Sequence, residues 1–172
     1  MKILVDVRLL GRGGQSGVEE YTYNAVDYLI RLAPEHHFQL FYNGWRKNPL
    51  PARWQSTPNV SVIDWPYPNK LFRLANFKID KLIGTDLIFS PHINYLNHSQ
   101  NTPRIMTIHD LSFVHYKKLF SYKQRLWHFS QNIKKQVRRA AHLIADSQAT
   151  KNDLVNTLQT PEEKISVIYP GI

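Results

Sequence analysis

"RIMTIHDLSFVHYKKLF", Arg104 to Phe120, is the stretch whose reading decides the fold. Ile105, Met106, Thr107 and Ile108 make a short, nearly continuous apolar run with β-branched members. That composition suits a strand buried on both faces, as in a parallel sheet covered by helices. The run does not close on ordinary turn residues. It closes on His109-Asp110, and the chain beyond is strongly basic. In open parallel sheets ligands bind outside the carboxyl ends of the strands, so an imidazole and a carboxylate at a strand tip are candidates for chemistry.

Working outward, further strands read at "KILVDV" from Lys2, "HFQLFYN" from His37, "NVSVIDW" from Asn59, "DLIFS" from Asp86, "HLIADS" from His142, and within "TPEEKISVIYPGI" near the end. Helices alternate with them. From Gly17, Val18, Tyr21, Ala25, Tyr28, Leu29 and Leu32 recur at helical spacing, with Glu19 and Glu20 in the first turn and Pro34 as the stop. Phe72, Ala75, Ile79 and Leu82 place one apolar face on a second helix that Gly84 ends. Ser121 reads as the cap of a long helix with Leu126, Phe129, Ile133, Val137 and Ala140 inward. Ser147 caps the next helix, and Thr160 and Pro161 open a last turn. Such alternation predicts an α/β, Rossmann-like fold: a mostly parallel sheet with helices on both faces, in a single domain over residues 1–172.

The bulk composition narrows the function classes. A chain of 172 residues buries roughly 70% of its extended surface and needs no metal or disulfide to hold together. It has no cysteine, hence no thiol chemistry. Asp6 and Arg8 interrupt the opening run, which is too short and too charged for a signal peptide. No apolar run approaches the ~20 residues that span a bilayer. These features suit a cytoplasmic protein. The net charge is +9, and eight lysines and arginines fall between Lys117 and Arg139, with no acidic residue between Asp110 and Asp146. Such a field attracts phosphates, an anionic membrane face or nucleic acid, unless it is simply the solvated side of a helix.

Three loops leave carboxyl ends of strands. In "LLGRGGQSG", Leu9 to Gly17, the glycines let the backbone approach a ligand, and the N–H groups opening the helix can hold an anion. Gly13, Gly14 and Gly17 are the candidate binding residues; a flexible turn with no ligand is the plain alternative. The spacing Gly11, Gly13, Gly17 is one residue longer than G-x-G-x-x-G, and the second strand ends at Asn43 rather than at an acid, which argues against a nicotinamide dinucleotide. The second loop, "SPHINYLNHSQ" from Ser90, supplies His92 and Asn94 as candidate substrate contacts. The third holds His109 and Asp110. A neutral imidazole offers one donor and one acceptor to a sugar hydroxyl, or can shuttle a proton. Asp110 can orient that ring or cap the following turn. The eight histidines show no short metal-binding spacing, so no metal and no cofactor is expected.

"DLIFSPH", "PRIMTIHDLSF", "RRAAHLIADSQATKNDL" and "PEEKISVIYPGI" follow one another in register, and "VDVRLLGRGGQSGVEEYTYNAVDYL" precedes them. Together they resemble the N-terminal half of glycosyltransferase family four, the group-one enzymes of GT-B architecture. The resemblance spans nearly the whole chain except the loop holding Trp45 and Trp54. It implies an acceptor-side domain of a retaining, usually metal-free enzyme that moves a sugar from a nucleotide-diphosphate donor to a glycan or lipid-linked acceptor. Cell-surface polysaccharide or glycolipid synthesis is the implied setting, with a peripheral place at the inner face of the plasma membrane. It implies that His109 meets the transferred sugar or the reacting centre with Asp110 beside it. The glycine loop would lie near the donor phosphates or the acceptor, and Ser147 and Asp146 would serve a helix N-terminus. The donor-binding C-terminal half is absent from this sequence, so the chain alone is expected to be inactive. A basic nucleic-acid-binding module, or a sugar- or nucleotide-binding domain without catalysis, is the alternative; no helix-turn-helix or stacking motif supports nucleic acid.

Overall fold

The computed structural model describes residues 1–13, 16–43, 48–66 and 78–171. In chain order the elements are β1 (Lys2–Asp6), α1 (Gly17–Leu32), β2 (His37–Asn43), α2 (Ala52–Gln55), β3 (Val60–Trp65), α3 (Ile79–Ile83) and β4 (Leu87–Ser90). They continue with β5 (Arg104–Ile108), α4 (Ser112–His115), α5 (Tyr122–Gln131), α6 (Ile133–Arg139), β6 (His142–Ala145), α7 (Gln148–Leu158) and β7 (Ile165–Val167). Every strand lies within a stretch read as a strand. The fold is α/β and Rossmann-like.

The chain forms two compact units, residues 1–91 with 96–103, and residues 92–95 with 104–172. In the first, four parallel strands run in the order β3-β2-β1-β4, with Leu4 opposite Gln39 and Ile88. Leu4, Phe41, Ile79, Ile88 and Leu96 are its core cluster. Each such side chain contributes about 1.5–3 kcal/mol on burial. Trp54 is also fully buried, and its indole N–H donates to Asp27 on α1 at 2.7 Å. That bond and Arg53 beside it hold the Asp27 carboxyl below its usual range.

In the second unit β5, β6 and β7 are parallel, with Ile108 opposite Ala145 and Leu143 opposite Ile165. Met106, Ile108, Leu143 and Ala145 pack against Ile133 and Val137 of α6 and Leu154 of α7. The hydroxyls of Ser121 and Ser147 cap α5 and α7 as read, accepting from the N–H groups of Gln124 and Thr150.

Four expectations need correction. The buried face of α1 is Glu19, Thr22, Val26 and Ile30, while Leu32 and Tyr28 are exposed. The long helix after Ser121 is two helices, broken at Asn132 in the left-handed region (φ 50°). Ile133, Val137 and Ala140 are inward as read, but Leu126 and Phe129 face solvent. In α3 Ile79 is buried, whereas Leu82 is exposed; Phe72 and Ala75 lie outside the described residues. The turn at Glu162–Lys164 is a single 3-10 turn preceded by Pro161, and Thr160 gives it no side-chain cap.

Candidate functional site

The polar tips of β5 and β6 build the site. The two strands are parallel neighbours with Ile108 beside Ala145, and both end on that apolar pair. One residue further on, His109 and Asp146 leave the sheet together. Asp146 Oδ2 is 3.4 Å from His109 Nδ1, with side chains 20% and 16% exposed. The carboxylate favours the proton on Nδ1, which leaves the lone pair of a neutral ring on Nε2.

Thr150, buried in the first turn of α7, ties the two ends together. Its Oγ1 lies 2.9 Å from the His109 carbonyl oxygen and 3.1 Å from Asp146 Oδ1, so its one proton serves either acceptor. Ser147 Oγ accepts from the Thr150 N–H at 3.1 Å and lies 2.9 Å from the Thr150 hydroxyl. A helix cap therefore doubles as the mount for the carboxylate.

Asp110 binds the turn that follows it. Its Oδ1 accepts from the N–H of Ser112 at 2.8 Å and from the Ser112 hydroxyl, which opens α4. Its charge also acts on His128, whose ring stacks on Phe113 at 4.3 Å. Burial pushes that imidazole below its ordinary pKa, and Asp110 opposes the shift only in part.

His92 and Asn94 are both buried in the second unit. The Asn94 N–H donates to His92 Nδ1 at 3.3 Å. The segment is lashed to the elements around it. Arg104, at the start of β5, donates to Gln136 at 2.7 Å and to the Asn94 carbonyl at 3.4 Å. The Gln136 amide donates to the Ile93 and Gln131 carbonyls, and Gln131 accepts from the Tyr95 N–H at 2.7 Å. This network holds the backbone in place and accounts for the polarity of the segment.

The glycine loop belongs to the first unit. It leaves β1 through Asp6 and Arg8, a buried bidentate ion pair with bonds of 2.7 and 2.6 Å. A 3-10 turn at Leu10–Arg12 ends on Gly13 at φ 70°. A side chain at Gly13 would put Cβ 2.2 Å from Asn48 Nδ2, and one at Gly11 would meet the Tyr42 ring at 2.9 Å. These two glycines thus answer to the packing of their own loop. Gly17 has open space around it and is the first residue of α1. Ser16 caps α1 in a reciprocal capping box with Glu19. Gly14 lies outside the described residues.

Sequence reasoning gave His109 its place at the strand tip but not Asp146 its partnership. The legible signal was that "TIHD" and "IADS" both end an apolar strand in polar residues. Among the described residues no group of three or more His, Asp or Glu side chains gathers as a metal site.

A parallel α/β chain of this kind has the architecture of the N-terminal part of a GT-B glycosyltransferase, and solved structures of that class superpose on it. The Anabaena protein Alr3699/HepE, in complex with UDP and glucose, matches 100% of this chain at 18% identity and a TM-score of 0.50. A glycosyltransferase from Rickettsia africae matches 99% at 15% identity and 0.52, and the wall teichoic acid polymerase TagF matches 98% at 16% and 0.52. The chain spans 45%, 43% and 38% of those proteins respectively, less than half of each. No curated protein sequence matches the chain. The family model of Glycosyltransferase Family 4 matches residues 15–172, and the chain belongs to that family.

Proposed function

We propose that this chain is the acceptor-side half of a retaining transferase. The enzyme moves a sugar from a nucleotide-diphosphate sugar to a glycan or lipid-linked acceptor in cell-surface polysaccharide or glycolipid synthesis. Family membership supports the reaction class, and the complex of Alr3699/HepE with UDP and glucose supports a nucleotide-sugar donor. In the reaction the bond from the anomeric carbon to the diphosphate oxygen breaks and the nucleoside diphosphate leaves. A bond to the acceptor oxygen forms, and the proton of the acceptor hydroxyl passes to the departing diphosphate.

The observation that carries the reading is the His109–Asp146 pair. With Asp146 Oδ2 3.4 Å from Nδ1, the favoured tautomer of a neutral His109 ring is the one whose Nε2 can accept from a hydroxyl of the transferred sugar. The ring orients that sugar at the carboxyl end of β5, where open parallel sheets bind their ligands. Asp146 is a positioning residue in this scheme. Gly17, first residue of a 16-residue helix with open space beside it, is the glycine best suited to approach a phosphate. The resemblance to the family supports transfer without a metal or cofactor, and a place for the enzyme at the cytoplasmic face of an anionic membrane.

Sugar release from labelled nucleotide sugars is the test, with the chain alone and joined to a donor-binding half. The chain alone turns over nothing, and the joined enzyme transfers sugar. His109→Ala lowers its turnover about 100-fold, in the range of a positioned side chain acting on the reacting centre. Transfer by the chain alone contradicts the half-site reading. Unchanged turnover in the variant contradicts the role of the imidazole.

A further inference from the structure

We propose that the outward face of α5, with the Lys117–Leu119 turn before it, is a docking surface for an anionic lipid bilayer. The surface is an inverted amphipathic helix. Tyr122, Leu126 and Phe129 recur at i, i+4 and i+7, the spacing of a single helical stripe. An apolar stripe on a ten-residue helix should be its core face. Here it is the water face: Tyr122 is 78% exposed, Leu126 56% and Phe129 84%, with Leu119 just upstream at 80%. The opposite side of α5 carries the packing through Trp127, His128 and Gln131. The His128 ring meets Phe113, Phe120 and Trp127 at centroid distances of 4.3, 5.2 and 4.8 Å. The Gln131 amide binds the Tyr95 N–H. The helix is therefore anchored by its more polar side and presents its most apolar residues outward. Isolated apolar residues on a surface need no explanation, but three large ones along one helical stripe, with Leu119 exposed just ahead of them, do.

Charge chooses the occupant. Arg125 and Lys123 are exposed and flank the stripe on either side, Lys117 and Lys118 precede it, and Lys134 and Lys135 follow on α6. No acidic residue lies anywhere between Asp110 and Asp146. An apolar ridge within a cationic field complements the interface of an anionic bilayer, where aliphatic and aromatic side chains enter the acyl boundary and lysines meet the headgroups. Nucleic acid would satisfy the charge but leave Leu119 and Leu126 without an apolar partner. A second copy of the chain would satisfy the apolar stripe but bring like charges together. The surface gives the membrane-facing part of the functional reading a physical location and rests on it. The test needs no sugar transfer, so either can fail while the other stands.

The test is sedimentation of the full chain with vesicles of phosphatidylglycerol and phosphatidylcholine, against phosphatidylcholine alone, at low and high salt. The wild-type chain binds the anionic vesicles at low salt and not the neutral ones. The Leu126→Ser/Phe129→Ser double variant binds about tenfold more weakly or worse at an unchanged Tm, because both residues are exposed. Lys123→Glu/Arg125→Glu loses at least a similar factor. The proposal is overturned by an absence of binding to anionic vesicles, or by equal binding of the serine variant. It is equally overturned if random duplex DNA binds more tightly than vesicles with the same dependence on these residues, or if the stripe proves to be buried in a dimer that the serine variant dissolves.

Discussion

Asp146 Oδ2 lies 3.4 Å from Nδ1 of His109, and one threonine hydroxyl, Thr150 Oγ1, is within 3.1 Å of both residues. Under the proposed function, this arrangement separates His109, which would meet substrate, from Asp146 and Thr150, which hold it in place. Asp146→Asn keeps the shape but removes the charge that holds the Nδ1 proton. In the joined enzyme it is expected to lower kcat about tenfold with KM unchanged and Tm near the parent's. Thr150→Ser keeps the hydroxyl and should stay within about twofold of the parent. Steady-state kinetics separates the two variants. A loss that follows Tm instead would make Asp146 a structural residue.

Asp110 sits next to His109 in sequence yet binds Ser112. Asp110→Ala removes the carboxylate that accepts from the Ser112 N–H ahead of α4 and is expected to destabilise the fold by about 1 kcal/mol. Turnover per folded molecule should be nearly unchanged. Urea unfolding beside a transfer assay distinguishes this from a catalytic aspartate, whose loss would lower turnover by orders of magnitude at full occupancy of the fold.

The glycines of the first loop divide the same way. Gly13→Ala meets Asn48 and a left-handed backbone at φ 70°, so it should cost about 1–2 kcal/mol of stability. Gly17→Ala meets nothing and should leave Tm within a degree or two, since surface changes away from special features move stability by under about 0.5 kcal/mol. If Gly17 approaches the donor phosphates, that variant raises KM for the nucleotide sugar. Thermal melts and donor titration read the two effects separately.

His128 makes stability depend on pH. Burial lowers its folded pKa below the ordinary 6.5, so the unfolded chain takes up the proton first. The stability it contributes is present in full above about pH 6.5 and is lost as pH falls toward the lowered folded value. His128→Phe keeps a ring against Phe113 and should flatten that acid limb in denaturant melts. Asp110 raises the His128 pKa, so Asp110→Ala should steepen it.

The fold was legible where local chemistry settles the outcome. Most strands are short, largely apolar runs, and Ser121 and Ser147 cap helices because a serine ahead of an apolar-periodic stretch has few other uses. What was not legible is which side of an amphipathic segment meets the sheet. Leu126 and Phe129 have the spacing of a core stripe, and only the packing of His128 and Gln131 turns them outward. The left-handed turn at Asn132 then splits one expected helix into two, with Ile133 and Val137 returning to the core. The His109–Asp146 pair was hidden for another reason. It depends on the register between β5 and β6, which no local pattern carries. The adjacent Asp110 was the partner that sequence proximity suggested, and the turn that follows claims it.

The most direct measurement is a crystal structure of the joined enzyme with an unreactive nucleotide-sugar analogue. It should show Nε2 of His109 within about 3.2 Å of a sugar hydroxyl, with Asp146 still beside Nδ1. A donor sugar bound with no atom in reach of the His109 ring would contradict the reading of these strand tips as the transfer site.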